Sequence, residues 1–140
     1  MPYSIKHLPD LAIVEVARTG LISGDDLREA TSECITLQKH TGVTKFIVDA
    51  NGWEVIASFL DVYNLADQQY SNEGLDRKTH IAVILPTSIS AQAAADFYET
   101  VCKNRGWNAR VHPNRQSALE WLMVASDGNN LDRDEAIRSA

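Results

Sequence analysis

Cysteine is scarce in this chain: Cys34 and Cys102 are the two among 140 residues. Both fall in amphipathic helical patterns, where a thiol packs as a small apolar side chain. No CxxC pair exists, which excludes the common zinc and thioredoxin-type motifs. Glycine is thin too, with seven residues scattered at element ends. No Walker loop, GxGxxG or GxSxG occurs, so no phosphate cradle or nucleophile elbow is visible. Positive charge is short: 13 Lys and Arg stand against 19 Asp and Glu, a net charge of -6. That balance excludes the basic footprint of a general nucleic-acid binder and gives no polybasic signal for anionic membranes. No apolar run approaches the roughly 18 residues of a membrane span. The opening MPYSIKHLPD lacks the basic-then-apolar pattern of a secretory signal, so a cytoplasmic protein with reduced thiols is expected.

Metal and cofactor signatures are also missing. The four histidines, His7, His40, His80 and His112, include no pair at two-, three- or four-residue spacing. The acid-rich DGNNLDRDE near the C-terminus lacks the spacing and central glycine of a calcium loop. No cofactor, no metal and no catalytic residue are expected. Serine, histidine and aspartate are present, but nothing in their spacing places a nucleophile within reach of a base.

What is present is a strong alternation of apolar strands and amphipathic helices. A chain of this length suits one domain; residues 1–124 are expected to form it and 125–140 a polar tail. Tyr3 to Leu8 and Leu11 to Ala17 read as two strands around the turn Pro9-Asp10, an antiparallel hairpin. Ser23 or Gly24 caps a first helix with Leu27, Ala30, Cys34 and Leu37 on one face, ended by Gly42. The stretch Lys45 to Trp53, KFIVDANGW, is a buried strand that hands a polar tip to a helix start. A second helix is predicted from about Glu54 to Tyr70. HIAVIL at His80 to Leu85 is another buried strand, stopped by Pro86. A third helix carries Ala93, Phe97 and Val101, a short edge strand runs from Ala109 to His112, and a fourth helix begins at Asn114. The order β-β-α-β-α-β-α-β-α predicts an α/β layer structure with a mixed, mostly parallel sheet.

This ordered set resembles the STAS fold of bacterial anti-sigma-factor antagonists, and more narrowly the SpoIIAA-like proteins. The features that carry the resemblance are the leading hairpin, KFIVDANGW, HIAVILP, DFYETVCKNRGW and the closing SALEWL. It spans about Tyr3 to Met123. It implies a regulatory, protein-binding domain without enzyme activity. In the antagonists the helix start after this strand carries a phosphorylated serine in an Asp-Ser-Ser-Gly motif. Ser58 falls at the first serine of that motif. Ala57 replaces its aspartate and Phe59-Leu60 replace the Ser-Gly that follows, so Ser58 reads either as a phospho-acceptor or as a serine bonded to its own backbone. SpoIIAA-like proteins are also compared in layout with the CRAL-TRIO lipid carriers. On that analogy Phe59, Tyr63 and Tyr70 line an apolar ligand site, while as plain periodicity they fill an ordinary core.

Two functional expectations follow. In open α/β sheets, ligands and partners are met at the carboxyl ends of the strands. The loop Asp49, Asn51, Gly52 and Trp53 is therefore the expected contact for a protein partner. Trp53 serves as anchor there or covers the core's end. Asp49 caps the helix or holds the loop backbone, and Asn51 and Gly52 supply left-handed turn conformations. The alternative is a small carrier or sensor of a lipid-like molecule. Self-association as a homodimer is a further expectation.

Overall fold

The computed structural model describes residues 3–8 and 10–127. Five strands form the central sheet: β1 (Tyr3–Leu8), β2 (Ile13–Arg18), β4 (Lys45–Asp49), β6 (His80–Ile84) and β7 (Asn108–His112), in the order β1-β2-β4-β6-β7. β1 and β2 pair antiparallel as a hairpin, and every later pairing in this sheet is parallel. Two three-residue strands, β3 (Gly20–Ile22) and β5 (Trp53–Val55), form a separate parallel pair. The helices are α1 (Gly24–Thr41), α2 (Phe59–Asn64), α3 (Tyr70–Glu73), α4 (Ile89–Asn104) and α5 (Arg115–Asp127).

The period of two along the strands divides the core into two faces. Ile13, Ile47, Ala82 and Ile84 point to one side, where Ala118 and Leu122 of α5 cover them. Val14, Phe46, Ile81 and Val83 point to the other, packed among Ile35 of α1, Leu65, Tyr70 and Val101 of α4. The second face is much the larger. The short helices cannot be stabilised by their own length, so their packing here holds them.

The expected single helix from Glu54 to Tyr70 is corrected. Trp53 to Val55 instead pairs with Gly20 to Ile22, so Glu54 and Val55, expected at the helix start, lie in a strand. The backbone N–H groups of Ile56 and Ala57 both donate to the Ile22 carbonyl, which bends the chain away before α2. Ser58 then starts the helix through a reciprocal cap: its Oγ accepts from Asp61 N at 3.0 Å, and Asp61 Oδ2 accepts from Ser58 N at 3.0 Å. Between α2 and α3 the turn widens into a π-helical segment, Leu65–Gln69, where Tyr70 N bonds back to the Leu65 carbonyl. Trp107 reinforces that turn by donating its indole N–H to the Ala66 carbonyl at 3.1 Å.

Smaller differences have equally local causes. β2 begins at Ile13 because Leu11 and Ala12 belong to the preceding turn, Ala12 taking φ 55°. Asn51 and Gly52 do not adopt positive φ; among the described residues those glycines are Gly20, Gly42, Gly74 and Gly106. Gly52 is instead required by a close approach, since a Cβ there would lie 3.0 Å from Thr19 Cγ2. α5 continues to Asp127, past the start of the expected tail; the rest of that tail lies outside the described residues.

Candidate functional site

Between the larger sheet face and the layer of α1, α2 and α4 lies a cavity of about 150 Å³. Its floor is Val16, Phe46, Val48, Ile81 and Val83 from three strands. α1 contributes Leu27, Ala30 and Cys34, and α4 contributes Ala91, Ala94 and Ala95. Val62 and Leu65 close it from above, and Trp53 and Val55 wall one end. The space follows from residue size: three alanines of α4 face it, where larger side chains would reach the sheet. The widened π turn carries Leu65 and ends at Tyr70, both on the cavity wall. Such turns recur at functional sites in helices.

The wall is apolar except at one pole. Arg18, the last residue of β2, and Asp26, in the first turn of α1, both line the cavity. Their charges pair at 2.6 Å between Arg18 Nη1 and Asp26 Oδ2, with the side chains only 13% and 22% exposed. Asp26 Oδ2 also accepts from Ser23 N at 2.9 Å, and the Asp26 N–H donates to Ser23 Oγ at 3.1 Å, a second reciprocal cap. The Ser23 backbone bond and the Arg18 guanidinium hold its carboxyl below the usual range. Three buried nitrogens at this end, Arg18 Nε, Arg18 Nη1 and Trp53 Nε1, have no hydrogen-bond partner among the described residues, Nη1 meeting Asp26 as an ion pair only.

The reactive groups at the cavity are quiet. Cys34 is pushed up to about 12, first by burial and then by Glu33, so its thiol stays protonated and a poor nucleophile. Tyr70 and Tyr98 share a hydroxyl–hydroxyl bond of 2.6 Å, and burial raises both phenols. Among the described residues no group of three or more His, Cys, Asp or Glu side chains is placed to hold a metal, and no helix is long and apolar enough to cross a membrane.

The residues singled out in the sequence fall at different depths. Asn51 and Gly52 are exposed at the loop tip, where Asp49 Oδ1 accepts from Asn51 N at 3.1 Å. Trp53 leaves that tip, half-buried, and turns to the cavity. Tyr70 is a wall residue. Phe59 and Tyr63 stand outside the wall: Phe59 stacks on Phe97 with ring centroids 4.9 Å apart, and Tyr63 lies beneath the Arg105 guanidinium at 5.3 Å. Ser58 is the cap of α2, its Oγ engaged by Asp61 N. In the sequence Asp26 is an acidic residue in the first turn of a helix, where it matches the helix dipole, and nothing in its spacing ties it to Arg18. A cation closing an otherwise apolar strand was the available signal for Arg18. Around the same end, Leu21, Ile56, Phe59, Leu60 and Ile89 are large apolar residues left exposed.

The fold is SpoIIAA-like. The chain is similar to the crystal structure of an uncharacterized protein of the DUF3478 family with a SpoIIAA-like fold from Shewanella loihica PV-4. That likeness has a TM-score of 0.55 at 12% sequence identity and covers 86% of this chain and 91% of that one. No family model and no curated protein matches the sequence.

Proposed function

We propose that this chain is a non-enzymatic SpoIIAA-like module that binds a small apolar molecule beneath α2 and serves as its carrier or sensor. The observation that carries this reading is the cavity of about 150 Å³ with an almost wholly apolar wall. An engineered apolar cavity of about 150 Å³ stays dry and takes up benzene-sized guests. The protonated Cys34 and the absence of an activated nucleophile at the wall favour binding over conversion.

The test is a titration of the protein with benzene and with cyclohexane, followed by NMR of the methyl groups of Val16, Val48 and Leu65. Saturable shifts at these wall residues, with a rise in melting temperature, support the reading. Unmoved methyl signals at the solubility limit of both guests refute it.

A second, compatible reading is contact with a regulatory protein through the same end. It rests on the exposed Ile56, Phe59 and Leu60 beside the loop Asp49 to Trp53. Exposed apolar clusters mark interaction surfaces more often than single exposed residues do. A cap over the cavity made from such residues can report occupancy to a partner. Comparing capture by the wild type with that by an Ile56→Ser, Leu60→Ser double variant tests it; equal capture of every partner moves the surface elsewhere.

A further inference from the structure

The exposed apolar residues at the carboxyl end of the sheet form one surface, and its charge narrows what can cover it. Leu21 and Glu54 are register partners in the β3–β5 pair, so they stand side by side on its outer face, while Ile22 and Val55 turn inward. The alternation continues to Ile56, exposed like Glu54. Phe59 and Leu60 open α2 directly after, and Phe59 reaches α4 by stacking on Phe97. Ile89 begins α4, which packs against both β5 and α2. Leu21, Ile56, Phe59, Leu60 and Ile89 are each 54% to 82% exposed. A contiguous apolar surface of this kind marks an interaction site.

Residues 46–76 and 79–102, which include β5, α2 and the start of α4, contain no lysine or arginine. Arg18 and Arg28 reach this end from β2 and α1, and carboxylates there already hold both: Asp26 holds Arg18, and Asp25 and Asp61 hold Arg28. Glu54 stands exposed among the apolar side chains with no ion pair among the described residues. Four of the five lysines, Lys39, Lys45, Lys78 and Lys103, lie at the opposite end, where α1 and α4 finish and β4 and β6 begin. A partner that covers Glu54 must bring its cation, since a buried, unpaired carboxylate is costly. A second copy of this chain would set the same negative surplus against itself, and an anionic membrane would be repelled. We infer that this face receives a cationic amphipathic segment of another protein, its apolar side chains on Leu21, Ile56, Phe59 and Leu60 and a lysine or arginine on Glu54. This inference rests on the protein-contact reading above and adds the partner's chemistry to it.

Two synthetic peptides with the same helical spacing of leucine test it, one carrying lysine at every polar position and the other glutamate. Each is titrated into the protein while NMR follows the methyl groups of Leu21, Ile56, Leu60 and Ile89. Glu54→Lys and Glu120→Lys change the net charge equally, and Glu120 is exposed on α5, across the sheet. Both sites are at the surface, so both variants should melt with the wild type. The expected result is saturable shifts at those methyls with the lysine peptide and none with the glutamate peptide. Affinity for the lysine peptide should fall roughly fivefold in Glu54→Lys and stay within about twofold in Glu120→Lys. Equal losses in the two variants overturn the inference, as does a glutamate peptide that binds as tightly as the lysine one; the contact surface then still stands. No binding of either peptide overturns it too, as does binding of phosphatidylcholine–phosphatidylglycerol vesicles through the same methyls, or their shifting with protein concentration alone. An Ile56→Ser, Leu60→Ser variant that binds the lysine peptide like the wild type removes the contact surface as well.

Discussion

The Asp61 carboxylate of α2 lies directly over the α-carbon of Gly24, the first residue of α1, where any Cβ would collide with it. The same carboxylate closes the cap of α2 on Ser58 and pairs with Arg28 of α1 at 3.1 Å. Its carboxyl is held below the usual range, first by the Ser58 backbone and then by Arg28. One side chain therefore ties the short lid helix over the cavity to the long helix beside it. α2 has six residues, too few to persist without such ties.

Gly24→Ala should break that tie. The new methyl forces Asp61 to turn away from both Ser58 and Arg28, with a loss of about 1–2 kcal/mol, the scale of a helix cap. In an Asp61→Ala background the same change should cost nothing, or stabilise slightly by stiffening the unfolded chain. Urea unfolding of the four proteins of this cycle measures the coupling. Equal effects of Gly24→Ala in both backgrounds would show that the contact is idle.

Ser58→Ala should lower stability by about 1 kcal/mol, or roughly 3–4 °C in melting temperature. The serine Oγ receives the Asp61 N–H, and alanine leaves that donor to water. Ser58→Asp can still cap and should recover most of the loss. If alanine and aspartate melt together, the cap has no energetic role. A phosphate on Ser58 would bring about -1.5 to -2 charge beside the Asp61 carboxylate. Intact mass of the protein from native cells tells whether that modification occurs.

Five-strand architecture was legible because the two central strands carry unbroken apolar runs, Phe46 to Val48 and Ile81 to Ile84, while the outer strands mix apolar with polar residues between turn signals. The β3–β5 pair was not legible. Three residues are too short for a period, and Trp53 to Val55 belongs to a strand only because Gly20 to Ile22, 33 positions earlier, lies beside it. That pairing is a tertiary event, and it pulled Trp53 from an exposed anchor position to the cavity wall. The cavity itself was hidden for a different reason. Periodicity tells roughly which face of a helix is buried; on α4 that face carries Ala91, Ala94, Ala95 and Val101, while Ala93, expected on it, is exposed. It does not tell whether the opposing wall comes close enough to touch. The expectation of an aromatic lining rested on ring size, and Phe59 found a different partner in Phe97.

Ala94→Leu should close the cavity from the α4 side. Ala94 is buried and on the wall, and leucine adds three carbons into space that is otherwise unfilled. Core enlargements usually strain a packed interior, but a cavity reverses the sign. The free protein should gain about 1 kcal/mol, and binding of benzene should fall below detection. A loss of stability with retained binding would mean that the space is absent in solution.

Acid should weaken this protein in a window set by two histidines. His80 and His112 each lie 5.3 Å, ring to ring, from Trp121 of α5. Burial lowers both below the ordinary histidine value; at His80 the bond to the Lys78 carbonyl opposes this and Lys45 adds to it, and at His112 Arg110 adds to it and Glu99 opposes it. His112 Nδ1 meets Ser117 Oγ at 3.1 Å, and its buried Nε2 has no partner among the described residues. The neutral rings are therefore favoured in the folded state. As pH drops through about 6.5, the unfolded chain takes up protons first, so unfolding becomes easier, and the penalty is complete only below the folded-state values. Above about 7 it vanishes. The carboxylates Glu15, Asp26 and Asp61 are shifted the opposite way, downward, and lose their contribution only as pH falls below about 4. The two windows are separate. Urea midpoints measured between pH 5 and 8 should rise with pH in the wild type and flatten in a His80→Asn, His112→Leu double variant. Histidine Cε1 proton titrations should place both midpoints under 6.5. A midpoint above that value for His112, or an unchanged slope in the double variant, would assign the acid sensitivity to other groups.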